Sequence, residues 1–238
     1  KWCSQKAKSL HGQRCLNFSQ SALMRQKYLP SFVKRRGRIT KSQENNLNHL
    51  EKFEVSNIDD ISKAKFSFSK LTLEIGFGNG DNTLALAKAN PGTLYLASEV
   101  YIAGIGYLLG EIIKNDIQNI KLISGDIRLL IEQIKKPIFD DVLIICPDPW
   151  PKLKHHKRRM INSEFLKLVH PVIKNNGNLF MSTDWENYAE SIEETILESN
   201  GYKRLKSSIY EKSELTKFQK RAMEEGRKIY TFTLKKVS

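Results

Sequence analysis

The sequence has few cysteines, no long apolar run and, over its first forty residues, no acidic side chain. Its three cysteines, Cys3, Cys15 and Cys146, form no C-x-x-C pair, which argues against a zinc site or a disulfide framework and fits a reducing compartment. No stretch approaches the roughly 18 consecutive apolar residues of a membrane span, and the N-terminus lacks the apolar core of a signal peptide. We therefore expect a cytoplasmic protein with no membrane partner and no bound metal.

Positive charge is in excess and is concentrated at both ends of the chain, whose formal net charge is +13. Residues 1–40 carry ten Lys/Arg and no Asp/Glu, residues 201–238 carry eleven basic against four acidic residues, and residues 41–200 carry 18 against 22. Basic ends on a slightly acidic body are typical of proteins that bind phosphates, where counterion release supplies affinity. Basic tails that serve only solubility are the alternative.

The hydrophobic pattern predicts one α/β domain over residues 41–238, preceded by a partly disordered basic arm, residues 1–40. Apolar runs alternate with helix-period segments, which is the signature of a doubly wound, mostly parallel sheet. The runs are Leu71–Ile75, Leu94–Ala97, Ile120–Ile123, Val142–Cys146 and Asn178–Met181. The helical segments are Asn82–Ala89, Ile102–Lys114, Leu129–Lys135, Ser163–Ile173 and Tyr188–Ser199.

The two ends of this domain are less regular. Residues 41–68 are expected to form a short helix and a linker. Tyr202–Tyr210 and Lys228–Lys235 are predicted to close the chain as an antiparallel strand pair, with no helix between them.

A glycine-rich turn follows the first apolar run, at Gly76, Gly78 and Gly80. Glycines let the backbone turn tightly and approach a ligand. The spacing G-x-G-x-G lacks the later glycine of the dinucleotide fingerprint G-x-G-x-x-G. Asp81 would also repel a pyrophosphate at the following helix N-terminus. The turn therefore favours S-adenosylmethionine (SAM) over NAD.

Acidic residues stand at the ends of three predicted strands. Glu99 can accept both hydroxyls of a ribose, Asp126 would lie near an adenine amino group, and Glu74 immediately precedes the glycine turn. Each could instead cap a helix, and for Asp126 alone the two interpretations are equally good. Capping is a poor explanation for so many carboxylates at one sheet edge.

A fourth carboxylate, Asp148, follows the strand Val142–Cys146 inside a stiff, proline-framed loop. Pro147, Pro149 and Pro151 restrict the backbone around it. Five Lys/Arg and two His follow before the next acid, Glu164. A carboxylate held beside such a run suggests chemistry on a polyanion, although most charge runs are simply solvated surfaces.

The segments Glu74–Gly80, Pro147–Arg159, Thr183–Trp185 and Thr216–Phe218 together resemble the bacterial-type tRNA (guanine-N7)-methyltransferases, the TrmB family, over roughly residues 30–236. The resemblance implies a class I SAM-dependent methyltransferase with a Rossmann-like fold. It further implies methylation of a guanine in the tRNA variable loop, position 46, by a monomer or homodimer.

The resemblance also implies roles for individual residues. Glu74, Glu99, Asp126 and Asp148 would bind SAM together with the glycine turn, and Asp148 would be the catalytic residue. The residues implied to bind RNA are Lys152, Lys154, His155, His156, Lys157, Arg158, Arg159, Asp184, Thr216, Lys217, Phe218 and Gln219.

One departure concerns the family's usual Thr-Lys-Phe-Glu, which here ends in Gln219. An amide keeps one acceptor but loses the charge, so a contact to the guanine N1–H and N2–H₂ edge would be weakened. The Arg-Gly that usually follows the acid is absent, and Tyr101–Gly104 lacks the His and Pro often found there. These differences leave the cofactor carboxylates and Asp148 in place.

Guanine N7 carries a free lone pair, so its methylation needs positioning and charge stabilisation more than a base. We therefore expect Asp148 to orient the guanine and to stabilise the developing positive charge. His155 and His156 are better phosphate contacts than catalysts. The alternatives are another SAM-dependent RNA methyltransferase, a non-catalytic RNA-binding protein on a Rossmann scaffold and, least favoured, an NAD-dependent oxidoreductase.

Overall fold

The computed structural model describes residues 38–206, 210 and 216–237, except for the side chains of Lys217 and Phe218. Residues 1–37 of the predicted basic arm lie outside the described residues. Within the described residues, no helix is long and apolar enough to cross a bilayer.

A seven-stranded sheet in the order β3-β2-β1-β4-β5-β7-β6 forms the centre of the domain. The first five strands pair in parallel, whereas β7 runs antiparallel to both β5 and β6. The predicted α/β class with a closing antiparallel pair is confirmed. The strands are β1 Lys70–Ile75, β2 Thr93–Glu99, β3 Ile120–Ser124, β4 Phe139–Ile145, β5 Ile173–Thr183, β6 Tyr202–Leu205 and β7 Tyr230–Lys236.

Nine α-helices are found in the described part of the chain, together with three short 3₁₀ segments. The helices are α1 Lys41–Asn46, α2 Leu50–Phe53, α3 Ile58–Lys65, α4 Asp81–Ala89, α5 Ile102–Lys114, α6 Ile127–Ile131, α7 Ser163–Val169, α8 Glu186–Leu197 and α9 Lys217–Glu224. The 3₁₀ segments are Leu47–His49, Leu153–Arg158 and His170–Val172.

Helix α5 has the predicted bounds, whereas α7 is shorter than predicted. The expected helix Ser163–Ile173 ends at Val169 and continues as a 3₁₀ turn containing Pro171. Proline has no N–H to donate and clashes with the preceding turn of an α-helix. The chain enters β5 directly after this turn.

The prediction of no helix between the last two strands was wrong, because α9 lies there and β6 ends at Leu205. Thr216 and Gln219 form a capping box at the start of α9. The Thr216 hydroxyl accepts from the Gln219 N–H (3.2 Å), and the Gln219 side-chain oxygen accepts from the Thr216 N–H (2.9 Å). The pattern Thr-x-x-Gln is a sequence signal for a helix start.

Side chains of the sheet alternate between two hydrophobic layers, as the pleat requires. In β4, Val142 and Ile144 pack in the layer that contains α3, α6, α7 and α8. Leu143 and Ile145 pack in the opposite layer, with α4, α5 and Tyr210. Covering both faces explains why the inner strands are nearly continuous apolar runs.

Tyr210 anchors the connection between β6 and α9 to the sheet. Its hydroxyl donates to Asp141 Oδ2 (2.8 Å), and Asn178 donates to Asp141 Oδ1 (2.7 Å). Tyr210, Asp141 and Asn178 therefore form a hydrogen-bonded cluster on strands β4 and β5, in the middle of the sheet. This contact holds Tyr210 against the sheet.

Helix α5 approaches the glycine turn so closely that only glycine fits at the contact. A Cβ on Gly104 would lie 2.0 Å from the Gly78 carbonyl oxygen. On another part of α5, a Cβ on Gly110 would lie 2.3 Å from Nδ2 of Asn46 in α1. The first obstacle is backbone, whereas the second is the end of a side chain that can rotate.

We expect Gly104→Ala to lower the free energy of unfolding by about 1–3 kcal/mol, because overpacking at a fixed backbone atom forces α5 and the turn apart. Gly110→Ala is the matched control, since both changes gain the same helix propensity of about 1 kcal/mol. Equilibrium urea unfolding of the two variants checks the difference. Equal effects would show that α5 is not held against the turn.

Candidate active site

The reversal of strand order at β1 places several loops at one edge of the sheet. β1 lies between β2 and β4, so the residues after their carboxyl ends meet there, which is where α/β sheets bind ligands. The glycine turn, Glu99 and Asp148 follow these three strands. Asp126 follows β3 on one side, and Asp184 follows β5 on the other.

All three glycines of the turn have a left-handed backbone, with φ of +75° at Gly76, +63° at Gly78 and +84° at Gly80. Residues with a Cβ adopt this conformation only at a cost. A Cβ on Gly76 would have no atom within 4 Å, so space is open beside the first glycine. The turn leads directly into α4, with Gly80 at its N-cap.

Glu99 ties the glycine turn to the end of β2 through backbone hydrogen bonds. Its Oε2 accepts from the Gly78 N–H (2.8 Å), and its Oε1 accepts from the N–H groups of Val100 (2.7 Å) and Tyr101 (3.0 Å). Burial raises the pKa of Glu99 against the effect of these bonds, and the charge of Asp148 adds to the rise. A carboxylate has about four acceptor positions, so Glu99 retains capacity for a ligand hydroxyl.

Glu74 lies beneath the turn and is only 2% exposed. Its carboxyl accepts from Asn82 Nδ2 (3.1 Å) and from the Thr83 hydroxyl (2.6 Å), both in the first turn of α4. Burial raises the pKa of Glu74 to about 7, against the lowering effect of these two bonds. Glu74 therefore anchors the start of α4, and sequence reasoning missed the two polar side chains that hold it.

Asp126 caps α6 and also pairs with an arginine two residues later. Its Oδ1 accepts from the Arg128 N–H (3.0 Å), while the Arg128 Nε lies 2.9 and 3.0 Å from the two carboxylate oxygens. Asp126 therefore caps a helix, which is one of the two roles that the sequence allowed for it. The pairing encloses the Asp126 side chain, which is only 2% exposed, and Arg128 is a neighbour that the sequence analysis did not single out.

The loop that carries Asp148 has an unusual backbone on both sides of this residue. Cys146 and Trp150 adopt left-handed φ values of 47° and 45°, which cost of order 1–3 kcal/mol each for residues other than glycine. Asp148 lies between them and is exposed. The Trp150 indole packs inside the loop, edge-on to His155 (centroids 5.8 Å apart) and beneath the Arg158 guanidinium (4.9 Å).

The basic run after this loop divides into exposed and buried side chains. Lys152, Lys154 and Lys157 are exposed, and His155, His156 and Arg158 are half-buried. Desolvation and the surrounding cations lower the pKa of His155. Arg159 is the exception, since it is only 5% exposed and bonds within the protein.

The remaining predicted RNA-binding residues come from two other segments. Asp184 forms an ion pair with Arg227, which also bonds Glu225. Thr216 and Gln219 cap α9, and the side chains of Lys217 and Phe218 lie outside the described residues. Among residues 38–206, 210 and 216–237, no three His, Cys, Asp or Glu side chains are grouped so that they could hold a metal ion.

Glu74 is expected to make stability pH-dependent. Its folded-state pKa is raised from 4.5 to about 7, so its contribution to stability is fully present below pH 4.5 and is lost as the pH rises through 7. Relative to Glu74→Gln, the wild type should lose on the order of 3 kcal/mol over this range. Urea unfolding at both ends of the range measures this, with Glu164→Gln as an exposed charge-loss control; parallel curves for wild type and Glu74→Gln would contradict it.

The capping box predicts how α9 tolerates changes at Gln219. Gln219→Glu keeps the acceptor for the Thr216 N–H, so it should lose less stability than Gln219→Ala, with a small cost because the residue is only 7% exposed. Gln219→Ala should lower it by about 1 kcal/mol, the net contribution of one hydrogen bond. Thermal unfolding of both variants checks the prediction, and an equal loss in both would show that the box does not hold the helix.

Comparison with known proteins agrees with this architecture. A family described as "Putative methyltransferase" matches residues 69–232. In the solved structure of 16S rRNA methyltransferase KamB the fold is similar, with a TM-score of 0.57 and 14% identity over 77% of this chain and 96% of that chain. The fold is also similar in a variant of the 16S rRNA (adenine(1408)-N(1))-methyltransferase from Catenulisporales acidiphilia, solved with cosubstrate SAM. Here the TM-score is 0.55, with 16% identity over 78% of this chain and 95% of that chain. At this identity the likeness establishes the class I methyltransferase fold.

Sequence relatives are more specific. A tRNA (guanine-N(7)-)-methyltransferase of Nitrosococcus oceani is 34% identical over 87% of this chain and 91% of its own length. One from Colwellia psychrerythraea is 35% identical over 84% of this chain and 86% of its own length. One from Wolbachia pipientis wMel is 37% identical over 77% of this chain and 83% of its own length. The chain belongs to the family of tRNA (guanine-N(7)-)-methyltransferases.

Proposed function

We propose that this protein transfers the methyl group of SAM to N7 of a guanine in tRNA, at position 46 of the variable loop, in the cytoplasm. The observation that carries the proposal is the placement of Asp148. It is held exposed between two left-handed residues at the end of β4, beside the glycine turn and ahead of exposed lysines. The names of the sequence relatives support the substrate.

The residues present fit the cofactor. The open space at Gly76 and the remaining acceptor position of Glu99 suit a ligand with hydroxyl donors. Asp126 would accept from an amino group only after it releases a bond to Arg128. Glu74 would hold the turn from below rather than face the cofactor. When bound, SAM supplies a methyl group activated by its sulfonium.

Asp148 would act on the guanine rather than remove a proton. The N7 lone pair attacks directly, and positive charge then develops on the imidazole part of the base. A carboxylate beside the base edge fixes its orientation and stabilises this charge, so positioning and electrostatics supply the rate enhancement. The backbone around Asp148 is suited to this role because Cys146 and Trp150, two residues away on either side, have an uncommon left-handed conformation.

The exposed part of the basic run would bind the RNA backbone. Lys152, Lys154 and Lys157 are exposed and flank the loop of Asp148. N7 lies in the deep, narrow groove of A-form RNA, so a nucleotide outside a regular duplex is the accessible substrate. A guanine in the variable loop satisfies this condition.

The test is methyl transfer from labelled SAM to tRNA, followed by nucleoside analysis. We expect label in 7-methylguanosine, and none when the guanine at position 46 is replaced. Asp148→Ala should lose about 2–4 kcal/mol of transition-state stabilisation, or roughly 30- to 1000-fold in kcat. Asp59→Ala, which removes an exposed carboxylate from α3, is the control.

Other outcomes would revise particular parts of the proposal. Label in a different nucleoside would favour another RNA methyltransferase activity. Retention of label after replacement of the guanine at position 46 would move the target elsewhere in the tRNA. Full activity of Asp148→Ala would remove this residue from the reaction.

A further inference from the structure

We infer that Arg159 is a positioning residue, which joins the loop carrying Asp148 to helix α8 through Asn187, and that it does not bind RNA as its neighbours in the basic run do. This inference rests on the proposed methyl transfer. It assigns Asn187 a part in the site that no sequence motif indicates.

Burial separates Arg159 from the lysines of the run. Arg159 is 5% exposed, whereas Lys152, Lys154 and Lys157 are exposed. A phosphate cannot reach a guanidinium that is enclosed by protein without displacing the groups around it. A charge at this depth is tolerated only when the protein satisfies its hydrogen bonds.

The guanidinium of Arg159 uses its donors on two elements at once. Its Nε donates to the Pro149 carbonyl (2.9 Å), one residue after Asp148. Its Nη2 donates to Asn187 Oδ1 (2.9 Å), and its Nη1 makes a longer bond to the Asn187 carbonyl (3.4 Å). Nη2 also lies 3.1 Å from His156 Nε2, which must accept because arginine only donates.

The α8 end of this contact is rigid. The guanidinium lies over the Tyr188 ring, 4.8 Å from its centroid. Tyr188 is fully buried, and its hydroxyl accepts from the Ile161 N–H (2.8 Å). Arg159 is thus held between the Tyr188 ring and the loop. Its planar guanidinium donates to acceptors in several fixed directions, which the ammonium group of a lysine cannot reproduce.

The loop needs such a contact because of its backbone. Trp150 follows the carbonyl that Arg159 binds and adopts φ of 45°. Uncommon backbone conformations persist only where the surroundings over-determine them. A bond to the Pro149 carbonyl restrains the peptide between Pro149 and Trp150, and with it the direction of the adjacent Asp148.

The experiment compares Arg159→Gln with Lys157→Gln, which remove the same charge two residues apart. The salt dependence of tRNA binding and kcat at saturating tRNA are both measured. A phosphate contact contributes roughly 0.7–0.9 to the slope of log K against log salt concentration. We expect Lys157→Gln to reduce the slope by this amount, and Arg159→Gln to keep the wild-type slope while kcat falls about 10- to 100-fold.

Asn187 supplies a second pair of variants in case Arg159→Gln does not fold. Asn187 is exposed at the start of α8, so its replacement is compatible with the fold. Asn187→Ala removes one acceptor and should lower kcat about 2- to 10-fold, as the loss of one hydrogen bond implies. Asn187→Asp keeps the acceptor and should restore kcat, since the bond becomes charge-assisted.

A slope for Arg159→Gln that falls as far as that of Lys157→Gln would overturn the inference, because Arg159 would then be a phosphate contact. Wild-type kcat in Asn187→Ala would also overturn it. Production of 7-methylguanosine by the wild type tests the proposed function separately. Should that fail, the binding slopes still decide whether Arg159 contacts RNA.

Discussion

Strand β1 pairs in parallel with β2 on one side and β4 on the other, and the arrangement of the site depends on this position. A parallel sheet directs the carboxyl ends of its strands to one edge, and the reversal of strand order leaves a crevice beside the central strand. The turn after β1 and the loops after β2 and β4 must therefore meet. These segments lie far apart in the sequence and share one edge because of the pairing.

The carboxylates at this edge accept hydrogen bonds from the segments around them. Glu99 accepts from the turn itself, Glu74 accepts from the first turn of α4, and Asp126 caps α6. Each of these residues thus has an anchoring part in the structure. The close contact of Gly104 with the turn adds a steric restraint to the polar ones, so the backbone beside the ligand space is defined before any ligand binds.

The basic run after Asp148 is continuous in the sequence, but the structure divides its side chains into exposed and buried ones. Exposed lysines provide the surface on which we propose that the RNA backbone binds, and this part needs no exact geometry because phosphate attraction is weakly directional. Arg159 is buried and directional, with its donors on the Pro149 carbonyl and Asn187. At the start of α9, the amide of Gln219 makes the capping bond through its side-chain oxygen.

Much of the fold was predictable because periodicity is a local property. The alternation of apolar runs and helix-period segments indicated the parallel strands and gave the bounds of α5. The end of α7 and the start of α9 were missed although Pro171 and the Thr-x-x-Gln pattern were readable. Hydrophobic periodicity does not show these two boundaries, which are set by a proline that ends one helix and by a cap that starts the other.

The sequence by itself determined the family, the glycine turn and the acidic residues at the ends of four strands, because each depends on residue type and spacing along the chain. Only the tertiary structure decided which charges are accessible. Arg158 and Arg159 are adjacent and chemically identical, yet one stacks on Trp150 and the other is enclosed beneath the loop against Tyr188 and Asn187. Asn187 and Tyr188 belong to α8, and the position of that helix is set by its packing on the sheet and not by any local pattern.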